Sequence, residues 1–422
     1  MQRYPWRVFI SLLFAAGCVA QTAAPSGALT WQETVERFRA NNPTLLAGRV
    51  NIDEARAEEI TAYFRPNPDV NVSLDQITPF SSDPYPYRPL GYTYAFGSIN
   101  YLHERRHKRE LRLESAQKAT LIAASAQSDL ERNLLFSLRD AFNRVLLAKA
   151  VVAITRENLV YYDRLININR DRFQAGAIAQ VDFQRVELQR IQFESDIQSA
   201  RVNLQTAKID LQQLLRDRTP VDQFDVNQAF EFSEPVTSLD ELRSMAIATR
   251  PDLKEAVQTV DKANTDHRLA IANGSSDPTF GISGSHQPAP LNTYFGVNLS
   301  IPLRVFDRNQ GEKLRTSLDV GRTERLRDAA QIATLHDVDA AYASLQNTLT
   351  LLRPYKAKYL KESEDIRGTV SFAFEKGAAS LLDFLDAQRQ YRATQVSYLN
   401  LVGAYFSAAN QINFAVGREV IQ

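Results

Sequence analysis

A twelve-residue stretch occurs twice in this chain. Residues 173–184 read Phe-Gln-Ala-Gly-Ala-Ile-Ala-Gln-Val-Asp-Phe-Gln, and residues 374–385 read Phe-Glu-Lys-Gly-Ala-Ala-Ser-Leu-Leu-Asp-Phe-Leu. Phe, Gly, Ala, Asp and Phe stand at identical offsets, 201 residues apart. Each copy interrupts a long helical pattern: a Gly three residues after an aromatic ends a helix, and helical sequence then restarts. The chain is therefore expected to contain two antiparallel helical hairpins made by an internal duplication.

The helices flanking these turns are unusually long. From about Glu104, some 70 residues keep the helical period without a Pro, which at 1.5 Å per residue is a rod of roughly 105 Å. Leu138, Val145, Val152 and Leu159 are spaced by seven, as are Leu134, Ala141, Ala148 and Thr155, so the rod carries a heptad seam. A second rod runs from about Asn309 to Ala373, with seams Leu335/Tyr342/Leu349 and Val338/Leu345/Leu352/Tyr359. Pro354 lies inside it and predicts a kink.

Before each rod the period changes from helical to alternating. Asp69–Asp75 and a segment from Tyr92 to about Leu102 alternate, as do Thr279 to about His286 and Tyr294 to Leu303. These strands of about ten residues carry aromatics towards one end, and a Pro/Ser/Asp/Tyr-rich loop joins the first two over Thr78–Gly91. Length, girdle and loop suit strands of an outer-membrane barrel. Helix, strand, strand, long helix, turn, helix is thus given twice. Four membrane-type strands cannot close a barrel, and an open edge is not tolerated in lipid. The remaining strands must come from other copies, and three copies would supply twelve.

Arg3 and Arg7 precede a short apolar run, Val8–Ala16, the pattern of a secretory signal peptide. Ala15-Ala16-Gly17-Cys18 resembles a bacterial lipobox, whose Cys is lipidated after cleavage; cleavage after Ala20 would instead remove Cys18. Lys+Arg and Asp+Glu are equal at 49 each, which excludes the basic surplus of a nucleic-acid binder. The single Cys excludes a disulfide framework. The expected divisions are signal peptide 1–17, linker 18–30, first repeat 31–216, irregular link 217–237, second repeat 238–416 and tail 417–422. Within the repeats the strands are expected at 69–76, 92–102, 279–286 and 294–303, and the tip turns at 173–181 and 374–382.

Phe173-Gln-Ala-Gly-Ala with Val181-Asp-Phe-Gln, and Lys376-Gly-Ala with Leu382-Asp-Phe-Leu-Asp-Ala, inside this duplicated unit, resemble the TolC family of outer-membrane factors. The resemblance covers essentially the whole mature chain. It implies an α+β membrane protein: a trimeric 12-stranded β-barrel, four strands per chain, continued by a long α-helical barrel. It implies a passive exit duct in the outer-membrane lipid, docking a periplasmic adaptor (membrane fusion) protein bound to an inner-membrane pump, with no cofactor. The turns would form the periplasmic tip, with Phe173, Gly176, Ala177, Phe374, Gly377 and Ala378 at the docking surface and Asp383, Asp386 and Asp182 at the aperture. Asp383 and Asp386, three apart on one helix face, would place six carboxylates around a trimer's opening and favour cations; Asp383 as a helix N-cap is the plain alternative. Inter-helix packing is the plain alternative for Phe173 and Phe374. Other readings are the exit duct of a type I protein-secretion system and a non-conducting periplasmic coiled-coil scaffold. His103-Glu104-Arg105-Arg106-His107 matches the zinc-protease pattern, but it falls where strand meets helix among basic residues and is read as the polar border of the membrane region.

Overall fold

Thr30 begins the ordered helices by capping: its hydroxyl accepts from the Glu33 N–H while the Glu33 carboxylate takes the Thr30 N–H, a reciprocal box that satisfies two otherwise orphaned donors. The structure is a computed structural model and describes residues 27–421 apart from 76, 78–92, 235–236 and 287–292. The expected signal peptide, Cys18, Tyr92 and the loop 78–91 lie outside the described residues. In chain order come α1 (Trp31–Asn41), α2 (Pro43–Tyr63), β1 (Asp69–Asp75), β2 (Tyr94–Leu102), α3 (Lys108–Gln174) and α4 (Gln180–Leu215). The second half repeats the order with α5 (Leu239–Thr249), α6 (Pro251–Asn273), β3 (Thr279–His286), β4 (Thr293–Ser300), α7 (Gln310–Pro354), α8 (Leu360–Glu375) and α9 (Leu381–Val416). Asn42 caps α2 by accepting from the Thr44 and Leu45 N–H groups, and Ser238 forms a second capping box with Glu241 at α5.

The 67-residue α3 is the axle of the chain and packs along α4, α6, α2 and α9, while α7 packs along α6 and α9. Of its two expected seams, Leu138, Ala141, Val145 and Thr155 are buried, and Leu134, Ala148, Val152 and Leu159 are half-buried. Two apolar clusters hold the middle of the molecule, one around Leu138, Phe142, Leu211 and Leu215, the other around Leu345, Leu349, Leu352, Tyr405 and Ile412. Residues of the link add a short parallel bridge, Leu29 with Val226.

The second rod is not one straight helix. Pro354 has no N–H to donate and its ring crowds the preceding turn. Directly after it, Tyr355–Tyr359 form a π turn, closed by the Leu360 N–H on the Tyr355 carbonyl. A π turn carries an extra residue, so the buried stripe leaves the seven-residue register. Tyr359, expected in the seam, is 45% exposed, and Ser363, Ser371 and Phe374 are buried instead.

The strands form one antiparallel sheet in the order β1-β2-β3-β4, so the β2–β3 pairing joins the two halves of the chain. They are 7, 9, 8 and 8 residues long, shorter than the ten expected. β4 stops at Ser300 rather than Leu303, because Pro302 brings no ladder donor. The register sorts side chains by face. Val70, Ile99, Ile282 and Val297 are cross-strand partners in one row, flanked on the same face by Tyr101/Phe280/Leu299 and Val72/Gly97/Gly284/Phe295. The opposite face holds Asp69/Asn100/Gly281/Asn298 and Asn71/Ser98/Ser283/Gly296. Gly281 lets the two Asn side chains approach, since a Cβ there would overlap both side-chain oxygens. One face is thus apolar and exposed, with Val297 87% exposed; the other is mainly polar in these two rows and adds the row Ser73/Phe96/Ser285/Tyr294. Among the described residues, both edge strands lack a partner on their outer side.

Candidate functional site

The two repeated turns have the same backbone. In the first, Ala175 caps α3, Gly176 takes the left-handed conformation at φ 72°, its N–H donates to the Phe173 carbonyl at 2.9 Å and the Ala177 N–H to the Arg172 carbonyl at 2.8 Å. In the second, Gly377 sits at φ 78°, with its N–H on the Phe374 carbonyl at 3.0 Å and the Ala378 N–H on the Ala373 carbonyl at 2.8 Å. Both are Schellman ends, in which only Gly sits without steric cost. Gly176, Ala177, Gly377 and Ala378 are all exposed.

Each copy also stacks its own two Phe residues: Phe173 on Phe183 with centroids 5.4 Å apart, and Phe374 on Phe384 at 4.7 Å. The outcomes differ. Phe173 is 36% exposed, whereas Phe374 is buried with Phe183, Phe384 and Tyr162 in one cluster shared by both turns. In this chain the Phe374 ring packs between α8 and α9 against Phe384, the inter-helix packing given above as the plain alternative for it. Arg172 ties the two turns together. It donates to the Phe374 carbonyl at 2.9 Å and its guanidinium lies 5.1 Å from that ring's centroid. The duplication places Ala373 at the equivalent position, so sequence symmetry gave no sign of this contact.

The carboxylates are engaged locally. Ser380, not Asp383, is the N-cap of α9; Asp383 is the third residue of the helix and completes a capping box, its carboxylate accepting from the Ser380 hydroxyl at 2.7 Å and N–H at 3.2 Å. The hydroxyl first, then the backbone N–H, hold the Asp383 pKa below the ordinary carboxylate value. Asp386 lies one turn on and is ion-paired with Arg389. In the first copy Ala179 occupies the N-cap position and offers no side-chain cap, so Asp182 is left with a loose pair to Arg185 at 3.9 Å. Below the tip, Arg367 packs on the rings of Tyr161 and Tyr391, 4.5 and 3.8 Å from their centroids.

The zinc-protease pattern has no such geometry. His103 directly follows β2, while Arg106 and His107 are left-handed at φ 57° and 55°, so the two His do not share a helix face. Glu104 is held by Arg112.

A sheet apolar on one face and mainly polar on the other, continued by helices of this length, is the architecture expected of an outer-membrane channel protein. The family model described as "Outer membrane efflux protein" matches residues 34–215 and 242–418, one segment in each repeat. The chain belongs to the outer membrane efflux protein family. It is similar to the cobalt-zinc-cadmium resistance protein CzcC of Cupriavidus metallidurans, 22% identical over 93% of this chain and 91% of the relative. It is also similar to nodulation protein T of Rhizobium leguminosarum bv. trifolii, 24% identical over 72% of this chain and 67% of the relative. Its fold matches a crystal structure of CusC with a TM-score of 0.76 at 18% identity, covering 92% of each chain. The match to VceC of Vibrio cholerae has a TM-score of 0.71 at 16% identity, covering 92% of this chain and 96% of that one.

Proposed function

We propose that three copies of this chain close a 12-stranded barrel in the outer membrane and form the passive exit duct of a tripartite efflux assembly. The observation that carries this reading is the two-faced sheet with two unpaired edges. An apolar row such as Val70/Ile99/Ile282/Val297 suits lipid, and the Asn and Ser rows opposite suit a watered lumen. Lipid tolerates no open edge, and pairing β4 of one copy with β1 of the next removes both. The exposed turns at Gly176–Ala177 and Gly377–Ala378, with Phe173 beside them, then form the inner mouth and the surface that meets an adaptor's helical hairpins. Arg172 holds the two turns of each protomer together. Energy comes from the partner pump, which also sets most of the specificity. The relative named for cobalt, zinc and cadmium resistance makes divalent metal cations the cargo to test first.

Trimer bands that dissociate on heating, together with ion conductance in planar bilayers, test the duct. A monomer that never conducts would sink it in favour of a scaffold. At the mouth, Asp383→Ala with Asp386→Ala is expected to raise single-channel conductance and lower cation preference, since ringed carboxylates attract cations. The Asp386 charge is offset by Arg389, so most of the change should follow Asp383. Unchanged conductance and selectivity would reduce both residues to helix-end stabilisers.

A further inference from the structure

Between the start of α1, the middle of α3 and the end of α9 lies a cavity of about 310 Å³, at the lower end of small-molecule sites. Trp31, Leu135, Phe136 and Phe414 give it apolar walls. Arg139 also lines it and is 5% exposed. The guanidinium lies 4.4 Å from the centroid of the Trp31 ring. Its Nη1 is buried without a hydrogen-bond partner among the described residues.

Three of the other charged residues around the cavity, Arg39, Glu131 and Arg132, are ion-paired. Arg39 pairs with Glu131 at 2.6 Å. Arg132 pairs with Asp129 at 2.6 Å and donates to the Phe414 carbonyl at 2.8 Å. Arg418 points its Nη2 at the Met245 sulfur and brings no anion. Burial opposes the Arg139 charge, and Glu419, which lines the cavity as well, favours it to a smaller extent. A guanidinium does not release its proton, so an unpaired buried one carries a desolvation cost that an anion relieves.

We propose that this cavity binds a carboxylate-headed amphiphile, its head on Arg139 and its apolar body against Trp31, Phe136 and Phe414. The planar guanidinium matches a carboxylate through two parallel hydrogen bonds, and the aromatic walls select an acid with a hydrocarbon body over a bare ion.

Trp31 makes the test direct. The other of the chain's two tryptophans, Trp6, lies in the expected signal peptide, so Trp31 dominates the emission of the exported protein. Cyclohexanecarboxylate titrated into the purified exported protein in nanodiscs, at constant ionic strength, is expected to change that emission saturably. Arg139→Lys should weaken binding at least about tenfold, because an ammonium loses the bidentate match. Arg139→Met, which keeps an unbranched chain over Trp31 without the charge, should abolish it. Glu419→Gln should tighten it by removing a competing carboxylate. Cyclohexylmethanol binding as tightly as the acid would overturn the proposal, as would unchanged binding in a folded Arg139→Met protein. Should Arg139→Met fail to fold, equal affinity in wild type, Arg139→Lys and Glu419→Gln overturns it as well.

Discussion

Ser380 and Ala179 occupy the same place in the two repeats and make the two tip helices unequal. The Ser380 hydroxyl closes a capping box with Asp383, whereas Ala179 leaves the first N–H groups of α4 without a side-chain acceptor. Losing a Ser cap usually loosens a helix start severalfold. Ser380→Ala is therefore expected to speed amide exchange at Asp383 and Phe384 roughly fivefold. Ala179→Ser should build the missing box with Asp182 and slow exchange at the start of α4 by a similar factor. The effect is pH-dependent with a definite sign. Because the folded Asp383 pKa lies below the ordinary value of 3.8, its contribution is complete above that value and is lost as pH falls through the folded pKa. Protection at the start of α9 should thus fall under acid in the wild type and change little in Ser380→Ala. An identical acid response in both proteins would show that the box does not govern this helix start. At this scale the sequence was partly legible. Gly176 and Gly377 announced their conformation because no other residue sits there without strain. The Asp383 role was visible only as a choice between cap and gate, and Arg172 was not visible, since its acceptor is a carbonyl 202 residues away.

Elements are where pattern and structure agree most closely and also where accumulated register misleads. Heptads at Leu138 and Val145 marked the inside of α3 because every turn of that helix is regular. The same arithmetic beyond Pro354 assigned Tyr359 to the seam, and one π turn was enough to rotate the buried stripe onto Ser363 and Phe374. A proline signals that a helix is disturbed; whether it bends or gains a residue depends on packing that no short window contains. The strands were readable from alternation, but their faces needed register. That register makes a prediction about neighbouring positions. Val297 lies on the apolar face and Asn298 on the polar one. Arg at a lipid-facing mid-barrel position costs about 2–4 kcal/mol, so Val297→Arg should lower the yield of assembled, heat-sensitive trimer in outer-membrane fractions. Asn298→Arg should assemble normally and change only ion selectivity. The opposite ranking would mean that the two faces have been exchanged.

At the scale of the whole molecule, the single chain leaves apolar surface that its own fold does not cover. Along α4, Val181, Leu188, Val202 and Ile209 are all exposed and fall on a seven-residue repeat in register with one another. Along α7, Leu314, Leu318 and Ile332 are exposed too. A helix whose inner side is already packed against α3 has no intramolecular use for a second apolar stripe. In the closed ring of three chains proposed above, that stripe is expected to face the neighbouring protomer, as are the edges of β1 and β4 in the sheet. Leu188→Asp separates assembly from folding. Leu188 is 65% exposed in its own chain, so the helix should lose only a fraction of a kcal/mol of propensity, and the far-UV circular dichroism of the detergent-solubilised chain should be unchanged. At a protomer seam the same change removes the burial of a Leu side chain, worth about 1.5–3 kcal/mol, and desolvates a carboxylate, once at each of the three interfaces. The expected result is a normally helical chain whose trimer dissociates at a lower temperature in gels and in ultracentrifugation, with fewer conducting units per unit protein in bilayers. A trimer as heat-resistant as the wild type would place the protomer seam on another face of α4.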